Sequence, residues 1–275
     1  MRTYTTLDDP LALFGTGTTG INDNGQIVGS YLDSAGFFQG FLYSNGTYTN
    51  GPLDTVAASI NNNGQIVGAF LDSSGVPHGG LFSNGFFTFD DPLATNGTIP
   101  LGINNNGQIV GQIVGAYFDN VGSGEHGFLL SNGFYTTLDD PRGTFGTVAE
   151  GINDHGKIVG YFVNSNHIDR GFLYSNGTYT TLNDPLGTFG TKALGINDHG
   201  QIVGFYVGSN HKEHGFLYSN GTYTTINDPL GTFGTEAWGI NNFGQIVGIY
   251  YDSDGDLVEM DEDAFPELIP FRGST

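Results

Sequence analysis

The sequence predicts an all-β fold, a β-propeller of six four-stranded blades with five blades as the alternative, and three observations predict it. One ten-residue phrase recurs six times, the spacing between copies suits a four-stranded blade, and the two chain ends complement each other. The copies are GINDNGQIVG at Gly20–Gly29, SINNNGQIVG at Ser59–Gly68, GINNNGQIVG at Gly102–Gly111, GINDHGKIVG at Gly151–Gly160, GINDHGQIVG at Gly195–Gly204 and GINNFGQIVG at Gly239–Gly248. Their starts lie 39, 43, 49, 44 and 44 residues apart. Fixed periods of about 20–50 residues are the signature of solenoids and propellers.

Each unit divides into four strands, A to D, at turns with a physical basis. In the fifth, strand A is expected over about Lys192–Asn197 and strand B over Gln201–Val207, joined through Asn197-Asp198-His199-Gly200. A polar loop, Gly208–His214, leads to strand C at Gly215–Ser219. Asn220-Gly221 then predicts a two-residue hairpin of the primed type, which needs positive φ at both positions. Strand D, Thr222–Asn227, is rich in Thr and Tyr, as suits an outer strand. No comparable stretch has a 3.6-residue period, so helix is expected to be minor. The third unit repeats four residues, Gly107–Val110 and Gly111–Val114. Four is even, so strand B there is expected to lengthen or bulge with its faces preserved.

The chain forms a single propeller domain over 1–275. Its units are about 16–53, 55–90, 98–139, 147–183, 191–227 and 235–262 plus 1–8, and an acidic tail covers 252–275. Thr3–Pro10 reads as a strand D with nothing before it, whereas Gly239–Tyr251 reads as strands A and B with no clear C after them. The N-terminal strand is therefore expected to join the C-terminal blade, closing the ring and removing both open edges. Asp256–Asp261 is the candidate for that blade's strand C.

Charge narrows the partners. Asp and Glu number 28 against 7 Lys and Arg, a formal charge of −21. Phosphate backbones are repelled, so nucleic acid is not expected as a partner. Cations, neutral glycans and basic proteins suit such a surface. The chain has no cysteine, so disulfides, thiolate metal sites and thiol nucleophiles are excluded. No apolar run approaches the ~20 residues of a membrane span, and membrane insertion is not expected. Met1-Arg2-Thr3-Tyr4 already lies within a repeat unit with no secretory leader, so an upstream segment is expected.

The succession Thr191, Ala193, Gly195-Ile196-Asn197, Gly200-Gln201-Ile202-Val203-Gly204 and His214-Gly215-Phe216-Leu217-Tyr218 resembles the HAF-family extracellular repeat. That family takes its name from a His-Ala-Phe triplet. Here it reads His-Gly-Phe at His126–Phe128 and His214–Phe216, His78 is followed by Gly79-Gly80-Leu81, and Gln39 or Arg170 replaces the His elsewhere. The resemblance implies bacterial or archaeal secretion or surface display, and no particular activity.

Tight A–B and C–D turns share one face of a propeller, which leaves the longer B–C and D–A loops on the other, where ligands are expected. Between Gly171–Thr191 and Gly215–Thr235 the repeats differ only at Leu182 and Ile226. Equivalent sites suit multivalent binding of a repeating ligand such as a glycan. The exceptions to repetition point to individual chemistry. One column of strand A holds Gly17, Val56, Ile99, Val148, Lys192 and Glu236, and a second holds Thr19, Ala58, Leu101, Glu150, Leu194 and Trp238. Period-two alternation places both on one face. Lys192, Glu236, Glu150 and Trp238, with Arg142, His126 and His214 of the loops, are the candidate ligand-binding residues.

The expected function is a secreted or surface-displayed binding or scaffold propeller recognising a glycan or extracellular partner. One alternative is a hydrolase or lyase using Glu150 and Glu236 as acid and base beside Lys192. Another is a purely structural module. No cofactor is expected apart from calcium, for which Asp252, Asp254 and Asp256 supply oxygens at alternate residues, as at the start of an EF-hand loop. Neither a G-x-S-x-G elbow, a phosphate-binding glycine loop nor an H-E-x-x-H pair occurs.

Overall fold

The computed structural model describes residues 3–13, 15–53, 55–113 and 125–252, which contain strands and no helix. Blade 1 comprises β1 (Thr16–Ile21), β2 (Ile27–Leu32), β3 (Phe38–Ser44) and β4 (Thr47–Leu53). Blade 2 comprises β5 (Thr55–Ile60), β6 (Ile66–Leu71), β7 (Pro77–Phe82) and β8 (Phe86–Phe89). Blade 3 follows with β9 (Thr98–Ile103), β10 (Ile109–Ile113), β11 (His126–Ser131) and β12 (Phe134–Leu138). Blade 4 has β13 (Thr147–Ile152), β14 (Ile158–Val163), β15 (Asp169–Ser175) and β16 (Thr178–Leu182). Blade 5 has β17 (Gly190–Ile196), β18 (Ile202–Val207), β19 (Glu213–Ser219) and β20 (Thr222–Ile226). A sixth sheet pairs β21 (Gly234–Ile240) with β22 (Ile246–Tyr251).

The fold is thus a β-propeller of five antiparallel four-stranded blades, with a two-stranded sheet in the sixth position of the ring. The five-blade alternative is the one found. Six four-stranded blades are not formed among the described residues: the sixth sheet has β21 and β22 there, Thr3–Pro10 makes no strand, and the expected partner of that strand lies outside the described residues. Its Asp9-Pro10 portion instead takes the loop form that also precedes β9, β13, β17 and β21, tied by Asp9 N to Thr16 Oγ1 at 2.8 Å. The strand C candidate at Asp256–Asp261, and most of the third unit's duplication beyond Ile113, lie outside the described residues.

The ring closes through its inner strands and their A–B turns. At each turn the first Asn donates its side-chain N–H to the backbone carbonyl of the equivalent Asn in the next blade. The bonds run from Asn22 to Asn61, Asn104, Asn153, Asn197 and Asn241, then back to Asn22, at 2.9–3.1 Å. A second circuit joins the next residue of each turn, whose backbone N–H donates to the following blade's Asx oxygen, and Asn242 N to Asp23 Oδ1 at 2.8 Å completes it. Thr18 Oγ1 also donates to the Gly248 carbonyl across the seam at 2.7 Å. The recurring Asn-Asx pair is therefore a fastening repeated six times, and it satisfies turn groups that would otherwise need water.

Every inner strand carries a bulge at the same place. The pairing of β17 with β18 skips from Ala193 to Gly195, and equivalent skips occur in all six sheets. The skipped residues are Thr19, Ala58, Leu101, Glu150, Leu194 and Trp238, the second variable column. A bulge re-aims its extra residue, so the two columns are not equivalent as strict alternation predicts. The last glycine of each phrase accommodates the bulge. A Cβ on Gly204 would sit 2.0 Å from the Lys192 carbonyl oxygen, and Gly29, Gly68, Gly111, Gly160 and Gly248 face the equivalent oxygen at 1.9–2.1 Å.

The core is a series of clusters between neighbouring blades. Val159 and Leu182 of blade 4 pack with Ala193, Ile196, Ile202, Tyr206 and Phe216 of blade 5, and Val110 and Leu138 of blade 3 meet blade 4 in the same way. Fully burying a side chain such as Phe172 or Phe216 contributes about 1.5–3 kcal/mol. At the rim, the Asn-Gly hairpins have positive φ at both residues, 50° and 81° for Asn220 and Gly221, as the primed turn requires.

Candidate functional site

On the loop face, the Asp-Pro segments before β1, β9, β13, β17 and β21 share one clamp. The Asp backbone N–H donates to the Thr hydroxyl seven residues on at 2.8–3.2 Å, and the Asp Oδ1 accepts from the N–H two residues on at 2.8–2.9 Å. This is an Asx turn locked by a Thr. It holds the loop crest out in solvent, where Phe145, Phe189 and Phe233 are 41%, 46% and 51% exposed. Each ring is fixed at its root by its own N–H, which donates to Val163, Val207 or Tyr251 O at 3.0–3.1 Å. His167 stacks on Phe145 at 3.9 Å between centroids and His211 on Phe189 at 4.1 Å, whereas Lys212 Nζ lies 5.0 Å from the Phe233 ring centre. Leu186 and Leu230 lie exposed on the same crests. Arg142 takes their place before β13, gripping the buried Asp140 with Nε at 2.8 Å and a second nitrogen at 2.6 Å.

The other candidate region is the central channel. A cavity of ≈ 110 Å³ is lined by the bulge residues and the A–B turns of all six sheets. The side chains facing it include Trp238, Leu194, Glu150 and Leu101 on one arc and the smaller Thr19 and Ala58 on the other. Sequence reasoning expects ligands on the loop face, yet this cavity extends toward the opposite face, the A–B turns, and the bulge residues of the second column line it. Of the first column, Ile99, Val148, Lys192 and Glu236 are buried, whereas Gly17 and Val56 are half-buried. Lys192 and Glu236 are 4% and 1% exposed.

These buried groups form one electrostatic cluster. Lys192 Nζ lies 3.3 Å from Asp169 Oδ2 and 4.0 Å from the centre of the Tyr161 ring. Glu236 accepts from Trp238 Nε1 and from the Tyr251 hydroxyl, each at 2.8 Å, and shares a hydrogen bond with Glu213. Burial raises Glu236 against those bonds and the pull of Lys192. Burial and the adjoining Glu236 push Glu213 up to about 9, so this carboxyl pair holds a proton at neutral pH. Burial also pushes Glu150 up to about 7, opposed by Lys192 and assisted by Glu125 and Glu236.

Raised carboxyls give this protein an unusual pH dependence. Between the ordinary carboxylate range and about pH 9 the folded chain binds more protons at these sites than the unfolded chain. The stability they contribute is complete below the unfolded value and is lost as pH rises through about 7 for Glu150 and about 9 for Glu213. Glu213→Gln keeps a donor for Glu236 without the charge. It is expected to stabilise the fold by about 1–2 kcal/mol at about pH 8 and by nothing at about pH 5. Urea unfolding at the two pH values measures this, and equal effects at both would overturn it.

Of the sequence-predicted residues, the structure therefore brings Lys192, Glu236, Glu150 and Trp238 together, and keeps Arg142, His126 and His214 on separate blades. The two histidines are struts across their own blades. His126 Nδ1 lies 2.9 Å from an Asp139 oxygen, and His214 Nδ1 lies 3.2 Å from Asn227 Oδ1. Sequence reasoning missed Glu125, Asp169 and Glu213. They immediately precede His126, Arg170 and His214, and period-two alternation turns them toward the next blade. The signal was a third variable column, where the first two blades carry Phe38 and Pro77. Asp252 is the last described residue of the proposed calcium set, Asp254 and Asp256 lie outside the described residues, and no metal-holding cluster occurs among the described residues.

No family model and no curated protein matches this sequence. Solved structures resemble it in fold. The fucose-binding lectin of Aleuria aurantia, described as a six-bladed β-propeller, is 13% identical over 89% of this chain and 90% of that one, with a TM-score of 0.55. AofleA from Arthrobotrys oligospora is 12% identical over 82% of this chain and 76% of that one, with a TM-score of 0.52. The propeller domain of the Trilobed protease from Pyrococcus furiosus, described as having an open velcro topology, is 11% identical over 82% of this chain and 72% of that one, at 0.52. At such identities the likeness establishes the architecture alone, and it agrees with the strand pairing: this chain is a β-propeller.

Proposed function

We propose that this chain is a glycan-binding propeller that engages its ligand through the loop face. The observation that carries this is the repeated, rigidly rooted and half-exposed set Phe145, Phe189 and Phe233. Aromatic faces suit the C–H faces of sugar rings, and the clamped loops hold these platforms ready without ordering cost on binding. Three equivalent platforms favour a repeating or branched glycan by avidity. Support at the level of fold comes from the Aleuria aurantia lectin, whose structures are described with Fucalpha1-6GlcNAc and with alpha-methyl-L-fucoside. Secretion or surface display, as the HAF-type repeat implies, gives such a protein access to extracellular glycans.

A glycan array probed with the full chain is expected to give a selective set of ligands. Each single Phe→Ala change should weaken binding a few-fold, and the triple change F145A/F189A/F233A by about 100-fold through lost avidity. Silence on the array, or a triple variant that binds like the parent, would end this proposal. The hydrolase or lyase alternative is favoured by one observation, the convergence of Lys192, Glu150 and Glu236. It requires cleavage of a glycan by the parent chain that Glu236→Gln abolishes.

A further inference from the structure

The channel holds a group that the loop-face proposal does not use. Glu150 sits at a bulge, deep in the ring, and lines the cavity. Its carboxylate has no hydrogen bond or ion pair within direct reach among the described residues, since Lys192, the cation in its electrostatic range, lies against Asp169 and Tyr161. Glu150 is half-buried, and an unpaired carboxylate facing a cavity with partly apolar walls favours a proton or a cation supplied from outside.

The rest of the cavity specifies the cation. No Lys, Arg or His lines it, and Asp23, Asp154 and Asp198 stand at its mouth among asparagines. Anions are therefore disfavoured at the cavity wall and its carboxylate-bearing mouth, beside which stand His155 and His199. Trp238 is locked in place by the bond from its indole N–H to Glu236, so it forms a fixed aromatic wall, and such walls attract cations. Leu101 and Leu194 add hydrocarbon surface. A bare metal ion wants several oxygens at once, which this mixed wall does not converge. The wall suits a charged head on an apolar body.

We propose that the central cavity binds a small organic ammonium ion, its charged nitrogen against Glu150 and its hydrocarbon against Trp238, Leu101 and Leu194. This site is independent of the loop-face platforms. Ligands reach it from the A–B turn side.

Trp238 is the only tryptophan of the chain, so its emission reports directly on the cavity. Titrating the full chain with n-butylammonium at about pH 8 is expected to give a saturable change, confirmed by calorimetry, and n-butanol none. Glu150→Gln should weaken the ammonium ion by about tenfold or more. Glu150→Leu provides a second test that the ring tolerates, because Leu101 and Leu194 occupy the equivalent position in two other blades. Lowering the pH to about 6 should weaken binding as Glu150 takes up a proton. The groups facing it are Lys192, Glu125, Glu236 and Tyr161. The proposal is overturned if neither fluorescence nor calorimetry saturates with n-butylammonium, if n-butanol binds as well, or if either Glu150 variant binds as the parent does. Equal binding by the variants would mean general attraction to an acidic surface. The Phe145, Phe189 and Phe233 variants should bind n-butylammonium unchanged, which separates failure of this site from failure of the glycan proposal.

Discussion

Alanine at Gly204 is expected to cost the fold about 3 kcal/mol or to prevent folding outright. The added Cβ would meet the Lys192 carbonyl oxygen at 2.0 Å and the Ala193 Cα at 3.0 Å. Both are backbone atoms of the bulge, so no rotamer change relieves the clash. Strand B would have to leave strand A, and the inner strand bearing Lys192 and Leu194 would lose its register. Gly17→Ala is the matched control. Its Cβ finds only ordinary contacts at 3.8 Å, and the equivalent position carries Val56 and Ile99 in the next two blades. It should change stability by no more than about 0.5 kcal/mol. Thermal and urea midpoints of both variants measure the contrast. A Gly204→Ala protein as stable as Gly17→Ala would show that the bulge is not fixed.

That glycine also marks where sequence reasoning stops. The phrase Gly-Gln-Ile-Val-Gly repeats plainly enough to give the period, the strands and the hairpins, because turn chemistry is local: Asn220-Gly221 adopts the conformation its residue types favour. The bulge is invisible in the same letters. It arises from how strand A meets strand B, and its trace is an invariable glycine that alternation alone leaves unexplained. Without the bulge, Lys192 and Leu194 read as neighbours on one face. With it, Leu194 enters the channel and Lys192 is buried between blades. The joint between the last and first blades differs from its composition for a related reason. Thr3–Pro10 has the composition of a strand D, yet among the described residues the circle is sealed by side-chain bonds at the A–B turns, and no strand from the start of the chain takes part.

Lys192→Met is the second large effect, expected at about 3 kcal/mol near neutral pH. Lys192 is the cation among Asp169, Glu150, Glu213 and Glu236, and it draws down the proton affinity of the three glutamates. Methionine fills the same stem volume and can still lie on Tyr161, so the loss reports charge more than packing. The deficit should shrink at about pH 5, where protonation relieves the carboxylates, and adding Asp169→Asn should recover part of it. Chemical unfolding at both pH values tests this. A deficit independent of pH would assign Lys192 a packing role and remove the electrostatic account of the cluster.

Candidate residues were legible wherever a blade departs from its siblings. Lys192, Glu150, Glu236 and Trp238 stand out because small or apolar residues fill their columns elsewhere, and folding does gather them. Glu125, Asp169 and Glu213 escaped notice because they adjoin the His-Gly-Phe signature, whose histidines drew attention and proved to brace their own blades. The platforms Phe145, Phe189 and Phe233 recur so regularly that they read as scaffold, and only their exposure sets them apart.

The two hydrogen-bonded circuits at the A–B turns treat the joint between last and first blades like every other joint. Asn241 clasps Asn22 with the same atoms that Asn22 uses on Asn61. A hoop with interchangeable buckles has no privileged start, so a unit gained or lost by duplication leaves the clasp chemistry intact and alters only the diameter. That tolerance fits a chain in which neighbouring units have diverged by as little as one side chain over twenty-one positions, Leu182 against Ile226. It lets copy number drift while the channel-lining residues specialise one blade at a time.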